Sequence, residues 1–266
     1  MVKGQALADK VVVVTGGSAG LGEQICYEAA KQGAIVVVCA RRINLIGKVK
    51  EMCEELSGKM AHSFQLDIAD PDNVETVFEK IQTEVGPIDV LVNNAGFGLF
   101  ENFIDTDLAI ARNMFEVNVL GMMVFTQKAA IQMAERGTGH IINVASMAGK
   151  MATAKSTIYS ATKFAVLGFS NALRLELKPL GISVTTVNPG PIETEFFDKA
   201  DPTGNYLASV DLFVLEPNKL ATEIVNAMGT SKREINRPRI MEAASRLYTL
   251  FPHLGDLLAG GVLNKK

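Results

Sequence analysis

Tyr159 and Lys163 stand four residues apart in the stretch TIYSATKFAVLGF, so a helix there places both side chains on one face. A phenol titrating near about pH 10 is a poor proton donor or acceptor at neutral pH, but a neighbouring ammonium favours the phenolate and brings it into range. Ser146 closes the β-branched run IINVAS and adds a hydroxyl donor at that strand's end. Together the three side chains have the make-up of an acid–base group beside a hydroxyl donor. Taken alone, a Tyr-x-x-x-Lys pair reads first as a half-buried tyrosine beside a solvated lysine.

Such a set of side chains has to be held by a scaffold. Short apolar runs at residues 11–15, 35–39, 61–66, 89–93, 140–145 and 182–188 read as strands. Between them, residues 20–32, 43–56, 71–85, 105–136 and 157–178 read as helices, with Leu21, Ile25 and Ala29 recurring every four residues on the first. Strands this apolar, without strict alternation, are buried on both faces, as in a parallel sheet. The alternation predicts a single-domain α/β fold: a doubly wound parallel sheet of Rossmann type with helices on both faces. Ligands in such folds gather beyond the carboxyl ends of the strands, where Ser146 falls.

The first strand, VVVVT, runs into Gly16, Gly17, Gly20 and Gly22. A helix starting here points free N–H groups and its positive dipole end at an anion, and glycine lets a pyrophosphate approach the backbone. A tight strand–helix turn accounts for the same glycines. The second strand ends in Ala40-Arg41-Arg42 with no carboxylate to hold a ribose 2′-hydroxyl. Arg41 forking onto a 2′-phosphate, with the Ser18 hydroxyl assisting, points to NADP(H) over NAD(H).

Composition narrows the classes. The chain has 266 residues, 48% of them hydrophobic, and a net charge of −3, which gives no sign of a nucleic-acid-binding surface. Cys26, Cys39 and Cys53 read as buried thiols in a reducing compartment. The start lacks the apolar stretch of a secretory signal, and no uncharged apolar run approaches the roughly eighteen residues of a membrane span. His62, His140 and His253 have no metal-ligand spacing, and no metal is expected. The expectation is a cytoplasmic protein.

Thr15-Gly-x-x-x-Gly-x-Gly, Asn93-Asn94-Ala95-Gly96, Ser146, Tyr159-x-x-x-Lys163 and Asn188-Pro189-Gly190 occur in this order, and the chain resembles the short-chain dehydrogenase/reductase family from about Lys10 to Thr194. The resemblance implies an NADP(H)-dependent oxidoreductase interconverting a carbonyl and a secondary alcohol. It implies that Tyr159 exchanges the proton, Ser146 stabilises the substrate oxygen, and Lys163 lowers the Tyr159 pKa and holds the nicotinamide ribose. Asn118, in FEVNVLG, would position a water linking Lys163 to solvent. The cofactor would lie along Gly16, Ser18, Ala19, Gly20, Leu21 and Gly22, with Arg41 and Arg42 at the 2′-phosphate. Asp67 would meet the adenine amino group beside Ile68, and Asn94, Ala95 and Gly96 the adenine ribose. Pro189, Gly190, Ile192 and Thr194 would grip the nicotinamide end.

Substrate and assembly are less determined. Residues 195–216 carry Phe196, Phe197, Tyr206, Leu207 and Phe213 and read as an apolar lid, or equally as a plug for the core. Phe97, Leu99, Met147 and Met151 are candidate walls for a hydrophobic substrate. After a short strand at 234–237, residues 238–266 form a variable helical extension with an apolar stripe of Ile240, Ala244, Leu247, Phe251, Leu254 and Leu258. Packing on the same subunit is the first reading of that stripe; a subunit contact or peripheral membrane contact is the second. A homodimer or homotetramer is expected, paired through the long helices. The alternatives are a 3-oxoacyl thioester reductase and a catalytically silent NADP(H)-binding sensor or scaffold.

Overall fold

The computed structural model describes residues 6–201, 213–253 and 256. Seven strands form one parallel sheet: β1 (Val11–Thr15), β2 (Ile35–Ala40), β3 (His62–Gln65), β4 (Val90–Asn93), β5 (Gly139–Val144), β6 (Ile182–Pro189) and β7 (Glu234–Arg237). Their order is β3-β2-β1-β4-β5-β6-β7, so the chain reverses direction across the sheet between β1 and β4. This is the Rossmann-type, doubly wound arrangement, and its ligand crevice belongs at that reversal. The valines of β1 are all buried because helices cover both faces.

On one face lie α1 (Gly20–Lys31), α2 (Ile43–Ser57) and α8 (Pro217–Ala227), closing a core around Val12, Val14, Ile25 and Ile224. On the other face, α3 (Pro71–Glu84), α5 (Met122–Arg136) and α6 (Thr157–Leu177) enclose Val13, Leu91, Phe125 and Ile141. Local chemistry sets the ends. The Asp70 carboxylate caps α3 by accepting from the Asp72 and Asn73 N–H groups, with Pro71 in the first turn. Gly58 and Gly137 end α2 and α5 in the left-handed conformation.

The long helix expected at 105–136 is broken in character. It comprises α4 (Leu108–Phe115), one π-helical stretch at Glu116–Gly121, and α5. Gly121 lets it approach the end of β3, since a side chain there would meet the Ile68 carbonyl oxygen. The run Leu108–Arg136 spans 29 residues and, counted with its few charges, is long and apolar enough to cross a membrane. Here it is a core helix, with Phe125, Ala129 and Met133 fully buried against the sheet. The expectation that no stretch was apolar enough considered only uncharged runs.

Within the segment read as a lid or plug, residues 196–200 form a helical turn, α7 (Phe196–Ala200). Residues 202–212, with Tyr206 and Leu207, lie outside the described residues, as do Leu254 and Leu258. The last helix, α9 (Arg239–Leu250), overturns the first reading of the apolar stripe. Ile240 and Leu247, and Phe251 just beyond the helix, are exposed, and the buried residue of α9 is Ser245. Polar contacts from Asn236 and Glu242 dock this helix, so its apolar side turns outward.

Candidate functional site

A cleft of about 440 Å³ opens at the carboxyl ends of the strands, where the sheet order reverses. Its walls include Gly16, Ser18, Ala19, Gly20, Leu21 and Gly22 from the first turn, Arg41 and Arg42 after β2, and Asp67 and Ile68 after β3. Asn94, Ala95, Gly96 and Phe97 follow β4, Ser146, Met147 and Met151 follow β5, Pro189 ends β6, and Gly190, Ile192 and Thr194 follow it. Tyr159 and Lys163 reach in from α6.

The glycines divide into two jobs. A Cβ on Gly22 would lie 2.3 Å from the Gly16 carbonyl oxygen and 2.5 Å from Asn94 Nδ2, and one on Gly16 would lie 2.8 Å from Ala95 Cα. These two exist so that the β1 turn can nest against the β4 turn. Asn94 completes the joint by donating from Nδ2 to the carbonyls of Thr15 and Gly16, each at 3.1 Å. The Thr15 hydroxyl accepts from the Asn94 and Ala95 N–H groups. Gly20 faces the cleft instead, in the left-handed region (φ +58°), opposite the Thr194 methyl group.

At the far end the guanidinium of Arg42 donates from Nε and Nη2 to Ser18 Oγ at 3.3 and 3.0 Å, and from Nη1 to Glu195 at 3.4 Å. The partner expected for Ser18 at a 2′-phosphate is Arg41. The residue that reaches Ser18 is Arg42, while Arg41 is exposed and offers its carbonyl oxygen to Gln65. Asp67 spends one carboxylate oxygen on the Ala69 N–H, ordering its own turn while lining the cleft.

Ser146, Tyr159 and Lys163 are all buried at the cleft floor. Lys163 Nζ donates to the Val144 carbonyl at 3.0 Å and lies 5.7 Å from the Tyr159 ring centroid. Burial lowers its pKa from 10.5 to about 8. Ser146 Oγ accepts from the Ala148 N–H at 3.1 Å and donates to the Pro189 carbonyl at 3.3 Å. Asn118, in the π-helical stretch, accepts from the Phe97 N–H and donates to the Phe97 carbonyl and to Thr162 Oγ1. Its amide group therefore holds the β4 loop and α6 together.

A family model described as short chain dehydrogenase matches residues 10–204. The chain belongs to the short-chain dehydrogenase family. It is 33% identical over 230 residues to an uncharacterised oxidoreductase of Staphylococcus aureus, covering 86% of this chain and 95% of the relative. It is 34% identical over 227 residues to the 3-ketodihydrosphingosine reductase of Bos taurus, covering 83% and 68% respectively. Among solved structures, the 3-ketoacyl-(acyl-carrier-protein) reductase of Brucella melitensis, complexed with NADH, superposes with a TM-score of 0.80 at 27% identity, covering 87% of this chain and 98% of that one. Other similar structures are complexed with NADP+ or NADPH.

In this short-chain dehydrogenase the cleft wall around Tyr159 is aromatic. The Tyr159 ring meets Phe100 edge-on at 5.7 Å and Phe196 at 5.7 Å, and Phe196 meets Phe197 at 5.2 Å. Gly98 makes room, since a Cβ there would lie 2.9 Å from both the Phe196 and Tyr159 rings. Phe97, Met147, Met151, Phe196 and Phe197 all line the cleft. Leu99 does not; it faces a separate small hollow beside Met114 and Ile158. Phe100 takes the wall position assigned to Leu99, because the loop after β4 has no regular period to set which side chain turns inward. Met241 of α9 also lines the cleft, although sequence reasoning left it out. It sits off the apolar stripe, and only the docking of α9 brings it there.

Proposed function

We propose that the protein is an NADP(H)-dependent oxidoreductase interconverting a carbonyl and a secondary alcohol on an apolar substrate. The observation that carries this reading is the convergence of the Tyr159, Ser146 and Lys163 side chains on the floor of one cleft whose far end holds Arg42 and Ser18. The residues present fit a nicotinamide dinucleotide. Gly20 presents its backbone to the cleft at the start of α1, and the exposed Arg42 guanidinium beside the half-buried Ser18 hydroxyl suits a 2′-phosphate. When bound, the nicotinamide supplies or takes up the hydride.

The chain's own residues handle the proton. In reduction, the Tyr159 hydroxyl gives its proton to the substrate oxygen; in oxidation it takes one back. Ser146 turns its hydroxyl hydrogen from the Pro189 carbonyl to that oxygen, where negative charge develops. Lys163, anchored on Val144, sets the field at the Tyr159 ring. Its lowered pKa lets it exchange a proton near neutral pH. Asn118 keeps the Phe97 loop and α6 in register, so the phenol stays aimed.

Phe100, Phe196, Phe197, Met147 and Met151 support an apolar substrate because they surround the phenol with carbon surface. The bovine relative's name, 3-ketodihydrosphingosine reductase, puts a ketone of this kind within the family's range. The test is oxidation of NADPH by purified protein against a panel of ketones from short charged acids to long-chain apolar ones. Turnover confined to the apolar members supports the reading. Tight NADPH binding without turnover of any ketone makes the protein a sensor instead, and equal use of NADH overturns the cofactor assignment.

A further inference from the structure

Helix α9 turns most of its apolar residues outward. Its inward side mixes one apolar contact, Met241 against Gly190, with polar ones: Ser245 is buried, and Glu242 accepts from the buried Asn236 at 3.1 Å. Asn236 is held in turn by Asn188 and donates to Glu234, which pairs with Lys150. Burial opposes ionisation of Glu234, but Lys150 and Asn236 outweigh it and lower its pKa. The outward side is apolar, with Ile240 62%, Leu247 43%, Leu250 72% and Phe251 55% exposed. At about 100° per residue these four and Ala243 fill an arc of roughly 100°, bordered on one edge by Arg239 and Arg246 and on the other by Ala244 and Tyr248.

We propose that this face seats on an anionic lipid bilayer, with the four apolar side chains in the interface and both arginines at the headgroup phosphates. A narrow apolar arc edged by basic residues is the pattern of a helix lying in a membrane surface. Its exposed area is a few hundred Å², short of the roughly 800 Å² per partner of a standard protein interface. The acidic groups nearby are engaged: Glu242 with Asn236 and Arg246, and Asp256 with the Tyr248 hydroxyl on the flank opposite the arginines. Met241, on the helix flank beyond Ala244, lines the cleft, so a bilayer at this face would lie beside the cleft mouth.

The test is co-sedimentation of the full chain with vesicles of phosphatidylcholine, with and without phosphatidylglycerol. The wild type is expected to partition at least tenfold more strongly onto the anionic vesicles, with salt weakening the effect. Leu247→Asp and Leu250→Asp should each reduce that binding about tenfold, and Arg239→Gln should weaken the preference for anionic lipid several-fold. NADPH affinity and melting temperature should stay unchanged in all three, because these side chains point into solvent. A wild type that ignores both vesicles overturns the proposal. So does a Leu247→Asp variant whose oligomeric mass falls in light scattering, which would make the face a contact between two copies. Unaltered vesicle binding in both aspartate variants also overturns it and leaves residues 254–266 as the lipid-binding or covering segment. None of these readouts depends on turnover, so failure of the oxidoreductase reading is separately visible.

Discussion

Asn118 holds Phe97 by both of its backbone groups, accepting from the N–H at 3.0 Å and donating to the carbonyl at 2.9 Å. Its second amide hydrogen goes to Thr162, whose hydroxyl donates to the Tyr159 carbonyl. One side chain from a π-helical stretch thus ties the loop after β4 to the helix bearing the phenol. Asn118→Asp keeps the acceptor for the Phe97 N–H but turns an anionic oxygen on two acceptors. Each mismatched group costs roughly 1–3 kcal/mol. A lower melting temperature together with a kcat loss beyond tenfold is expected; wild-type values in both would refute the tie.

Tyr159→Phe removes the exchanging proton and leaves the ring against Phe100 and Phe196. Turnover should fall about 10²–10⁴-fold, the usual contribution of a positioned acid–base group. Fluorescence titration should give an NADPH affinity within a few-fold of wild type. A fully active variant would remove Tyr159 from the chemistry.

Arg42→Ala is expected to weaken NADPH binding by roughly 10–100-fold, as loss of charge-assisted hydrogen bonds does, and to leave NADH binding nearly unchanged. Arg41→Ala should have the smaller effect, because Ser18 is engaged by Arg42. The reverse ranking in a titration of both cofactors would restore the assignment drawn from the sequence.

Two glycine substitutions should move stability in opposite directions. Gly22→Ala forces a methyl group against the Gly16 carbonyl and Asn94, an overpacking worth about 1–3 kcal/mol or more, and opens the joint between β1 and β4. Gly47→Ala, in the middle of α2 with nothing within 4 Å of the new methyl, should stabilise by about 0.5–1 kcal/mol. Urea unfolding of both variants checks the pair.

His140 accepts the Gly229 N–H at Nδ1 and bonds Thr185 through Nε2, and burial lowers its pKa to about 4. The unfolded chain binds this proton near pH 6.5, so between about pH 6.5 and 4 the unfolded state holds more protons. Stability from this site is complete above that window and declines as pH falls through it, by on the order of 3 kcal/mol in full. Unfolding free energies at pH 7 and 4.5 measure the slope. A His140 imidazole titrating near its ordinary value in NMR would contradict it.

Strand and helix identity, the parallel sheet and the cleft's location were legible from residues 11–188, because buried β-branched runs alternating with amphipathic stretches admit few topologies. Spacing along a helix and position at a strand end put Tyr159, Lys163 and Ser146 within reach of one another, but it was the ordered set of motifs resembling the short-chain dehydrogenase/reductase family that singled them out. Other features depended on contacts between distant segments. Gly22 needs Gly16 and Asn94 to explain it, Ser18 meets Arg42 rather than Arg41, and Phe100 replaces Leu99 in a loop without a period. The apolar stripe of α9 shows the division best. Its periodicity declared one hydrophobic side, but only the Lys150–Glu234–Asn236–Glu242 docking decided that this side faces outward. A repeat along a helix states which residues share a face; what that face meets is a property of the assembled fold.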